Sequence, residues 1–188
     1  MERVMKEIVI PDAEEMQSFG RALGESVQRG DLVMLTGPLG AGKTTLVRGV
    51  AAGMNVSGRV TSPTFVIANV HKNRGTGPDL IHVDAYRLEG LEELDALDLD
   101  TSLEDSATLI EWGTGKVEVL SPDRLEITIT RPKGAARGQD VADLYVDAPR
   151  TLTFTATGQR AHDLLAETLH RYQESTPNPA PADEEKSE

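Results

Sequence analysis

The sequence predicts an α/β domain with a mixed, partly antiparallel central sheet flanked by helices. In the first third of the chain, apolar runs of strand length alternate with segments of helical periodicity, which is typical of parallel strands joined by helices. Most of the later regular segments are strand-like. A glycine-rich loop also lies directly between a predicted strand and a predicted helix. These three observations together favour a mixed sheet over an all-parallel one.

The first elements alternate between strand and helix. Residues 4–10 are apolar and β-branched enough for a strand, and Asp12 is placed to cap a helix, with Glu15 at the capping-box spacing. That helix has apolar residues at helical spacing and is expected to stop by Gly30. The unbroken apolar run at 32–35 predicts a strand buried on both faces. The second helix follows the glycine-rich loop.

The remaining elements are mostly strands. Their apolar and alternating patterns predict strands at 64–70, 80–88, 108–112, 125–130, 144–146 and 152–154. The polar stretch 72–78 is a predicted turn between the first two. Residues 91–99 are acidic and predicted to be helical or irregular, and 158–172 form the predicted final helix.

The chain is predicted to form a single domain over residues 1–173, followed by a disordered tail at 174–188. Its 188 residues suffice for one domain with a substantial core. The tail has five acidic residues and one basic residue, and alanine is its only apolar residue type. Such a segment buries too little apolar surface to fold.

Composition excludes several classes of function. The formal charge is −12, with no basic run, so direct strong binding to nucleic acid is disfavoured and no DNA partner is expected. The absence of cysteine excludes disulfides and suits a reducing compartment. No apolar run approaches the roughly 18 residues that span a bilayer, and the N-terminus lacks a signal-peptide core. A cytoplasmic protein without a membrane partner is therefore predicted.

Residues 37–44 fit the pattern G-x-x-x-x-G-K-[ST], which predicts binding of a nucleoside triphosphate with Mg²⁺. Small residues let backbone N–H groups turn onto phosphate oxygens, and the following helix directs its positive end at the same anion. Lys43 would place a charge on the β and γ phosphates, and the Thr44 hydroxyl would ligate Mg²⁺. The predicted nucleotide-binding residues of this loop are Leu39, Gly40, Ala41, Gly42, Lys43, Thr44 and Thr45.

Two acidic residues follow buried strands. Asp84 ends the run 80–83, and Glu111 ends the run 108–110, so both are expected at carboxyl ends of strands, where α/β sheets bind ligands. Phosphoryl transfer needs carboxylates to hold a metal and orient the nucleophile. A single strand-end acid could be merely solvated, but two beside a phosphate loop favour a functional role. Lys43, Asp84 and Glu111 are therefore the predicted catalytic residues.

Three functional classes stay open from the residues alone. The first is an ATPase. No Asp has Gly three residues later and no N-K-x-D sequence occurs, so the motifs of a Ras-type GTPase are absent and ATP is preferred over GTP. A small-molecule phosphotransferase would need an arginine-rich lid, for which only Arg131 and Arg137, at the loop 133–140, are candidates. A nucleotide-gated interaction module, in which binding matters and hydrolysis does not, is the third class.

Four segments in this order resemble the bacterial TsaE (YjeE) family, the ATPase of tRNA threonylcarbamoyladenosine biosynthesis. They are residues 37–45, 60–65, 82–88 and 109–112. The resemblance covers roughly residues 5 to 150. The chain departs from the family at Pro38, where Asp is frequent, and at Ala85, where Leu is frequent, and neither position carries a functional side chain.

The resemblance implies a P-loop NTPase fold and an ATPase that works with the TsaB and TsaD proteins, is weak alone, and meets tRNA only indirectly through the complex. It implies that 61–65 faces the γ phosphate and that Asp84 is the family's second-strand acid. Glu111 resembles the glutamate linked to Mg²⁺ and hydrolysis, which makes Thr44 and Glu111 the expected metal-binding pair. Asp12 and Arg137 are further expected nucleotide contacts.

Overall fold

A mixed sheet forms the centre of the protein. The structure, a computed structural model, describes residues 4–63, 68–87, 104–116, 118–131 and 148–175. The strands are β1 (Val4–Ile10), β2 (Leu32–Thr36), β3 (Ala68–His71), β4 (Asp79–Asp84), β5 (Ser106–Glu111), β6 (Arg124–Thr130) and β7 (Arg150–Thr157). The helices are α1 (Ala13–Ser26), α2 (Lys43–Gly53) and α3 (Gln159–Ser175).

The sheet is parallel in the middle and antiparallel towards its edges. Within the described ranges the strand order is β1-β7-β6-β2-β5-β4-β3. Strand β2 runs parallel to both β5 and β6, and β4 runs parallel to β5. Strands β7 and β3 pair antiparallel with their neighbours, and β1 pairs antiparallel with β7. This confirms the predicted mixed, partly antiparallel sheet.

The central strand is buried on both faces, as its apolar run predicts. Residues 32–35 are all buried. Val33 and Leu35 belong to the main core, which lies between the sheet and the three helices, whereas Leu32 and Met34 join a smaller cluster. In the main core the ring of Phe19 on α1 packs 5.5 Å from that of Phe154 on β7. None of the helices in the described ranges is long and apolar enough to cross a membrane.

The start of α1 follows the predicted capping chemistry. A carboxylate oxygen of Asp12 accepts the N–H of Glu15 at 2.8 Å, which satisfies one of the unpaired donors of the first turn of α1. Helix α1 ends at Ser26, before the predicted limit at Gly30. The final helix, α3, extends through Ser175, so it includes the first two residues of the segment predicted as a tail.

The predicted strand 80–88 is wrong beyond Asp84. A 3-10 turn, Ala85–Arg87, replaces its last part. The Asp84 carboxylate accepts the N–H of Tyr86 at 2.9 Å, and this local bond supplies the backbone with an alternative to the sheet ladder. The predicted turn between two antiparallel strands is confirmed by β3 and β4. Predicted elements at 64–67, 91–99 and 144–146 lie outside the described residues.

Helices α1 and α2 approach each other closely through glycines. A Cβ atom at Gly20 would lie 2.4 Å from the carbonyl oxygen of Leu46, and one at Gly24 would lie 2.2 Å from that of Val50. A Cβ at Gly49 on α2 would in turn meet the carbonyl oxygen of Gln17 at 2.3 Å. Real side chains do not approach backbone this closely, so the contact requires glycine on both helices. It packs residues 17–24 of α1 directly against residues 46–50 of α2.

Replacing Gly20 with alanine should destabilise the protein by roughly 1–3 kcal/mol, because overpacking against the Leu46 carbonyl forces the helices apart. Intrinsic helix propensity alone would make the alanine variant more stable by about 1 kcal/mol. The sign of the stability change therefore tests the close contact between the helices. The exposed neighbour Arg21 provides the control, and Arg21→Ala should change stability little. Urea denaturation of the variants measures this, and a stabilised Gly20→Ala variant would contradict the close approach.

An ion pair fastens α3 to the loop before β2. The guanidinium of Arg160 donates to both carboxylate oxygens of the buried Asp31, at 2.8 and 2.6 Å. It also donates to the carbonyl oxygen of Ser26, the last residue of α1. The hydrogen bonds to Asp31 raise the pKa of Arg160. Planar, bidentate pairing of this kind is the strong form of a charge-assisted hydrogen bond.

Arg160→Ala should lower the free energy of unfolding by roughly 3 kcal/mol, because Asp31 would be left buried without its counter-charge. Arg171 on the same helix is the matched control, since its nearest carboxylate, on Glu25, lies 3.9 Å away and both side chains are close to half exposed. Arg171→Ala should therefore cost less than about 1 kcal/mol. Thermal denaturation compares the two variants, and equal losses would refute the special role of Arg160.

Candidate functional site

The parallel strands bring the predicted site residues to one edge of the sheet. In the register, Leu35 of β2 lies beside Glu111 of β5, and Glu111 lies beside Asp84 of β4. The glycine-rich loop leaves β2 at the same edge and leads into α2. The order of the strands therefore places the loop and both carboxylates next to one another, although they are far apart in sequence.

A cavity of about 410 Å³ opens at this edge. It is lined by residues 39–45 of the loop, by Asp12 at the start of α1, and by Asp84 and Glu111. Every predicted site residue that the structure describes therefore faces one space. Arg137 lies outside the described residues. The volume falls within the range usual for small-molecule sites.

The loop backbone requires its glycines. Gly40 and Gly42 have φ angles of 72° and 112°, in a region that residues with a side chain rarely adopt. A Cβ at Gly37 would lie 2.6 Å from the carbonyl oxygen of Ile129 on β6. Gly42 is the N-cap of α2, whose first N–H groups have no carbonyl partner within the helix. The result is a concave row of donors suited to an anion.

Lys43 is held inside the loop that it follows. Its Nζ donates to the carbonyl oxygens of Gly37 at 2.8 Å and Pro38 at 3.1 Å, and only 5% of the residue is exposed. The ammonium also lies 4.1 Å from the centre of the Trp112 ring. Burial lowers the pKa of Lys43, while the nearby carboxylates of Glu111 and Asp84 oppose that shift. The charge is therefore pre-oriented at the cavity wall.

Glu111 accepts hydrogen bonds from two sides. Its Oε1 lies 2.8 Å from Nε2 of His82 and 3.4 Å from the Thr44 hydroxyl, which donates to it. Both Glu111 and His82 are buried, with 3% and 0% exposure. In the described ranges no group of three or more carboxylate or imidazole side chains could hold a metal. Two hard oxygen ligands, Thr44 and Glu111, match the needs of Mg²⁺, which takes few protein ligands and uses water and phosphate for the rest.

Trp112 lines the cavity beside these carboxylates, and Tyr86 packs against it. The ring of Tyr86 packs edge-on against Trp112 at 5.5 Å and is 63% exposed. Trp112 has a φ of 60°, although it is not glycine, and its N–H donates to the carbonyl oxygen of Leu35 at 3.0 Å. Non-glycine residues in this conformation are uncommon and cluster at functional sites.

Two arginines contact the loop in ways that the sequence does not reveal. Nε of Arg150, at the start of β7, donates to the carbonyl oxygen of Ala41 at 3.2 Å, and Arg150 lines the cavity. A guanidinium N–H of Arg131 donates to the carbonyl oxygen of Gly40 at 3.0 Å. The Arg150 contact joins residues 109 positions apart, so no local pattern could indicate it. His82 was also missed, although alternation along β4 places it on the same face as Asp84.

The mixed sheet, the loop between β2 and α2 and the two acidic strand ends define the P-loop NTPase class of α/β folds. A family model described as "Threonylcarbamoyl adenosine biosynthesis protein TsaE" matches residues 10–139. The chain belongs to this TsaE family, and its role is in threonylcarbamoyladenosine (t6A) biosynthesis on tRNA. The resemblance seen in the four sequence segments is thereby confirmed.

Curated relatives support the family over most of the chain. The TsaE protein of Streptomyces coelicolor is 54% identical over 146 residues, which cover 77% of this chain and 93% of that protein. The TsaE protein of Bacillus subtilis is 36% identical over 160 residues, covering 85% and 90% of the two chains. The crystal structure of Bacillus subtilis YdiB matches with a TM-score of 0.67 and 29% identity, over 90% of this chain and 97% of that one.

Replacing Tyr86 with alanine should shift the fluorescence emission of Trp112 to longer wavelength, because the indole loses its aromatic cover and meets water. Trp112 is the only tryptophan in the chain, so the signal reports on the site alone. Tyr172→Phe is the control, since Tyr172 packs on Phe19 and not on Trp112. Emission spectra of the two variants test the geometry, and an unchanged maximum in Tyr86→Ala would contradict it.

Proposed function

We propose that the chain binds ATP with Mg²⁺ and hydrolyses it, and that it does so together with the TsaB and TsaD proteins in t6A modification of tRNA. One observation carries this proposal. Lys43, Thr44 and Glu111 face the same cavity, with the Thr44 hydroxyl 3.4 Å from the Glu111 carboxylate. A cation for phosphate and two oxygen ligands for a metal are thus adjacent to a loop of backbone donors.

Each residue has a distinct part in this proposal. The N–H groups of the loop and the Lys43 ammonium would hold the phosphates. Thr44 and Glu111 would hold Mg²⁺, which supplies positive charge to the phosphate oxygens when bound. Asp84, which lies beside Glu111 in the sheet, would place a second carboxylate near the γ phosphate. Asp12 and Arg137 are proposed contacts to the nucleotide.

The base is proposed to be adenine. The chain has no guanine-recognition motif of the N-K-x-D type. The cavity extends to Asp12, Ala13 and Met16 at the start of α1, where an apolar side chain and a helix start offer a surface for a base. One carboxylate oxygen of Asp12 already caps α1 by accepting the N–H of Glu15, which orients the side chain at this end of the cavity.

The arrangement of charges supports slow hydrolysis by the chain alone. Two cationic residues of the described chain line the cavity, Lys43 and Arg150, and both donate to carbonyl oxygens of the loop. Charge that develops on the γ phosphate is then neutralised incompletely, and an arginine supplied by a partner commonly completes such sites. We therefore propose that TsaB and TsaD stimulate turnover, and that tRNA is met only through that complex. A cytoplasmic location, without membrane or DNA partners, belongs to the same proposal.

Lys43→Ala should abolish both nucleotide binding and phosphate release, whereas Glu111→Gln should bind ATP but lose roughly 100-fold or more in turnover. Lys43 contributes charge to the ground state and the transition state alike, and Glu111 acts in the chemical step. Calorimetric titration measures binding, and release of inorganic phosphate measures turnover, both with Mg²⁺ and with and without TsaB and TsaD.

The surface lysine Lys72, which pairs with Asp79 at the turn between β3 and β4, provides the control. Lys72→Ala should behave as the unaltered chain. Unchanged turnover in both Lys43→Ala and Glu111→Gln would overturn the assignment of the site. Release of phosphate without a phosphorylated acceptor separates the ATPase from a phosphotransferase. Full support of t6A formation by Glu111→Gln would instead favour a module gated by nucleotide binding alone.

A further inference from the structure

A fully buried histidine lies behind Glu111. His82 is on β4, two residues before Asp84, and the register of β4 with β5 places both on the sheet face that carries Glu111. Its Nε2 is 2.8 Å from Oε1 of Glu111, yet His82 is 0% exposed and is not part of the cavity wall. The imidazole can therefore influence the site only through the carboxylate that it touches.

The direction of this hydrogen bond follows from the chemistry of the two groups. An ionised carboxylate only accepts, so Nε2 of His82 carries the proton and donates it. Nδ1 of His82 is buried and has no hydrogen-bond partner among the described residues. The contact with Glu111 therefore assigns the donor hydrogen of the ring to Nε2.

The two oxygens of Glu111 have different surroundings. Oε1 accepts from both His82 and the Thr44 hydroxyl, and no described residue donates to Oε2. The Thr44 hydroxyl gives its proton to this bond and keeps its lone pairs for a cation. One oxygen is thus held by the protein, and the other is left for the cavity.

We propose that His82 is a positioning residue for hydrolysis: its Nε2–H holds Oε1 of Glu111 and thereby directs Oε2 at the reacting end of the nucleotide. The inference rests on the proposed function, because Glu111 has a catalytic task only when a triphosphate is bound. A glutamate side chain has several rotatable bonds, and a catalytic carboxylate must be held to within about 0.5 Å of its productive position. The buried Nε2–H of His82 supplies that constraint without itself lining the cavity.

His82→Leu should lower kcat for ATP hydrolysis roughly 10- to 100-fold, the usual loss when an outer hydrogen-bond partner of a site carboxylate is removed. KM for ATP and the calorimetric affinity should stay close to those of the unaltered chain, because His82 does not line the cavity. His82→Gln places an amide donor near the position of Nε2 and should recover part of the loss. Steady-state phosphate release with Mg²⁺, with and without TsaB and TsaD, measures all of these.

Two further variants separate positioning from a general loss of structure. His71 is a matched control, since it is also buried, lies on the neighbouring strand β3, and has no contact with Glu111; its ring meets the carbonyl oxygen of Ser57. His71→Leu should keep kcat even if stability falls. In a Glu111→Gln background, His82→Leu should cause no further loss of kcat, because its effect passes through the carboxylate.

A second readout does not depend on turnover. Nitrogen-15 NMR of the histidine rings in the full, nucleotide-free chain should show His82 as the Nε2–H tautomer, with its resonance displaced in Glu111→Gln. An Nδ1–H tautomer would overturn the contact, and unchanged kcat in His82→Leu alongside normal turnover of the parent chain would overturn the positioning role. A parent chain that does not hydrolyse ATP would instead overturn the proposed function, and the NMR result would still decide whether His82 holds Glu111.

Discussion

The site depends on the parallel pairing of three neighbouring strands. Because β2, β5 and β4 run in the same direction, their carboxyl ends meet at one edge and align Leu35, Glu111 and Asp84 in a row. The loop that leaves β2 turns at the same edge, where its residues 39–45 line one cavity with both carboxylates. Were β4 antiparallel to β5, as β3 is to β4, Asp84 would lie at the opposite edge of the sheet. Strand direction, together with strand order and register, therefore determines which charges share the cavity.

Two helices begin at this cavity. Helix α2 begins at Lys43, and the glycine contact packs residues 46–50 of this helix against residues 17–24 of α1. Replacing hydrogen by methyl at Gly20 or Gly49 would separate them, so the chain forgoes the helix propensity of alanine to keep the close approach. Asp12, the N-cap of α1, lines the cavity together with the first residues of α2. The packing of α1 on α2 in the core therefore also fixes the relative positions of the cavity residues that the two helices carry.

Several local features of the site could be predicted from the sequence. The loop, the Asp12 cap and the strand-end acids follow from patterns a few residues long, and the structure places them as expected. The 3-10 turn after Asp84 was missed because one side-chain hydrogen bond outweighed an apolar run. The contact of Arg150 with the loop spans 109 positions and depends on the order of the strands, which no local pattern determines. Patterns in a single sequence do not show which residues distant along the chain come into contact in the fold.

The buried charged groups of the site have hydrogen-bond partners before any ligand enters. Lys43 donates to loop carbonyl oxygens, and Glu111 accepts from Thr44 and His82, which offsets part of the cost of burying them. In the proposed function, a triphosphate would compete for the Lys43 ammonium, and its bonds to the loop carbonyl oxygens would be exchanged. The bond from His82 lies outside the cavity and need not be. Only an interaction that persists when the nucleotide binds can keep Glu111 oriented. In this proposal, that interaction is the hydrogen bond from the His82 imidazole.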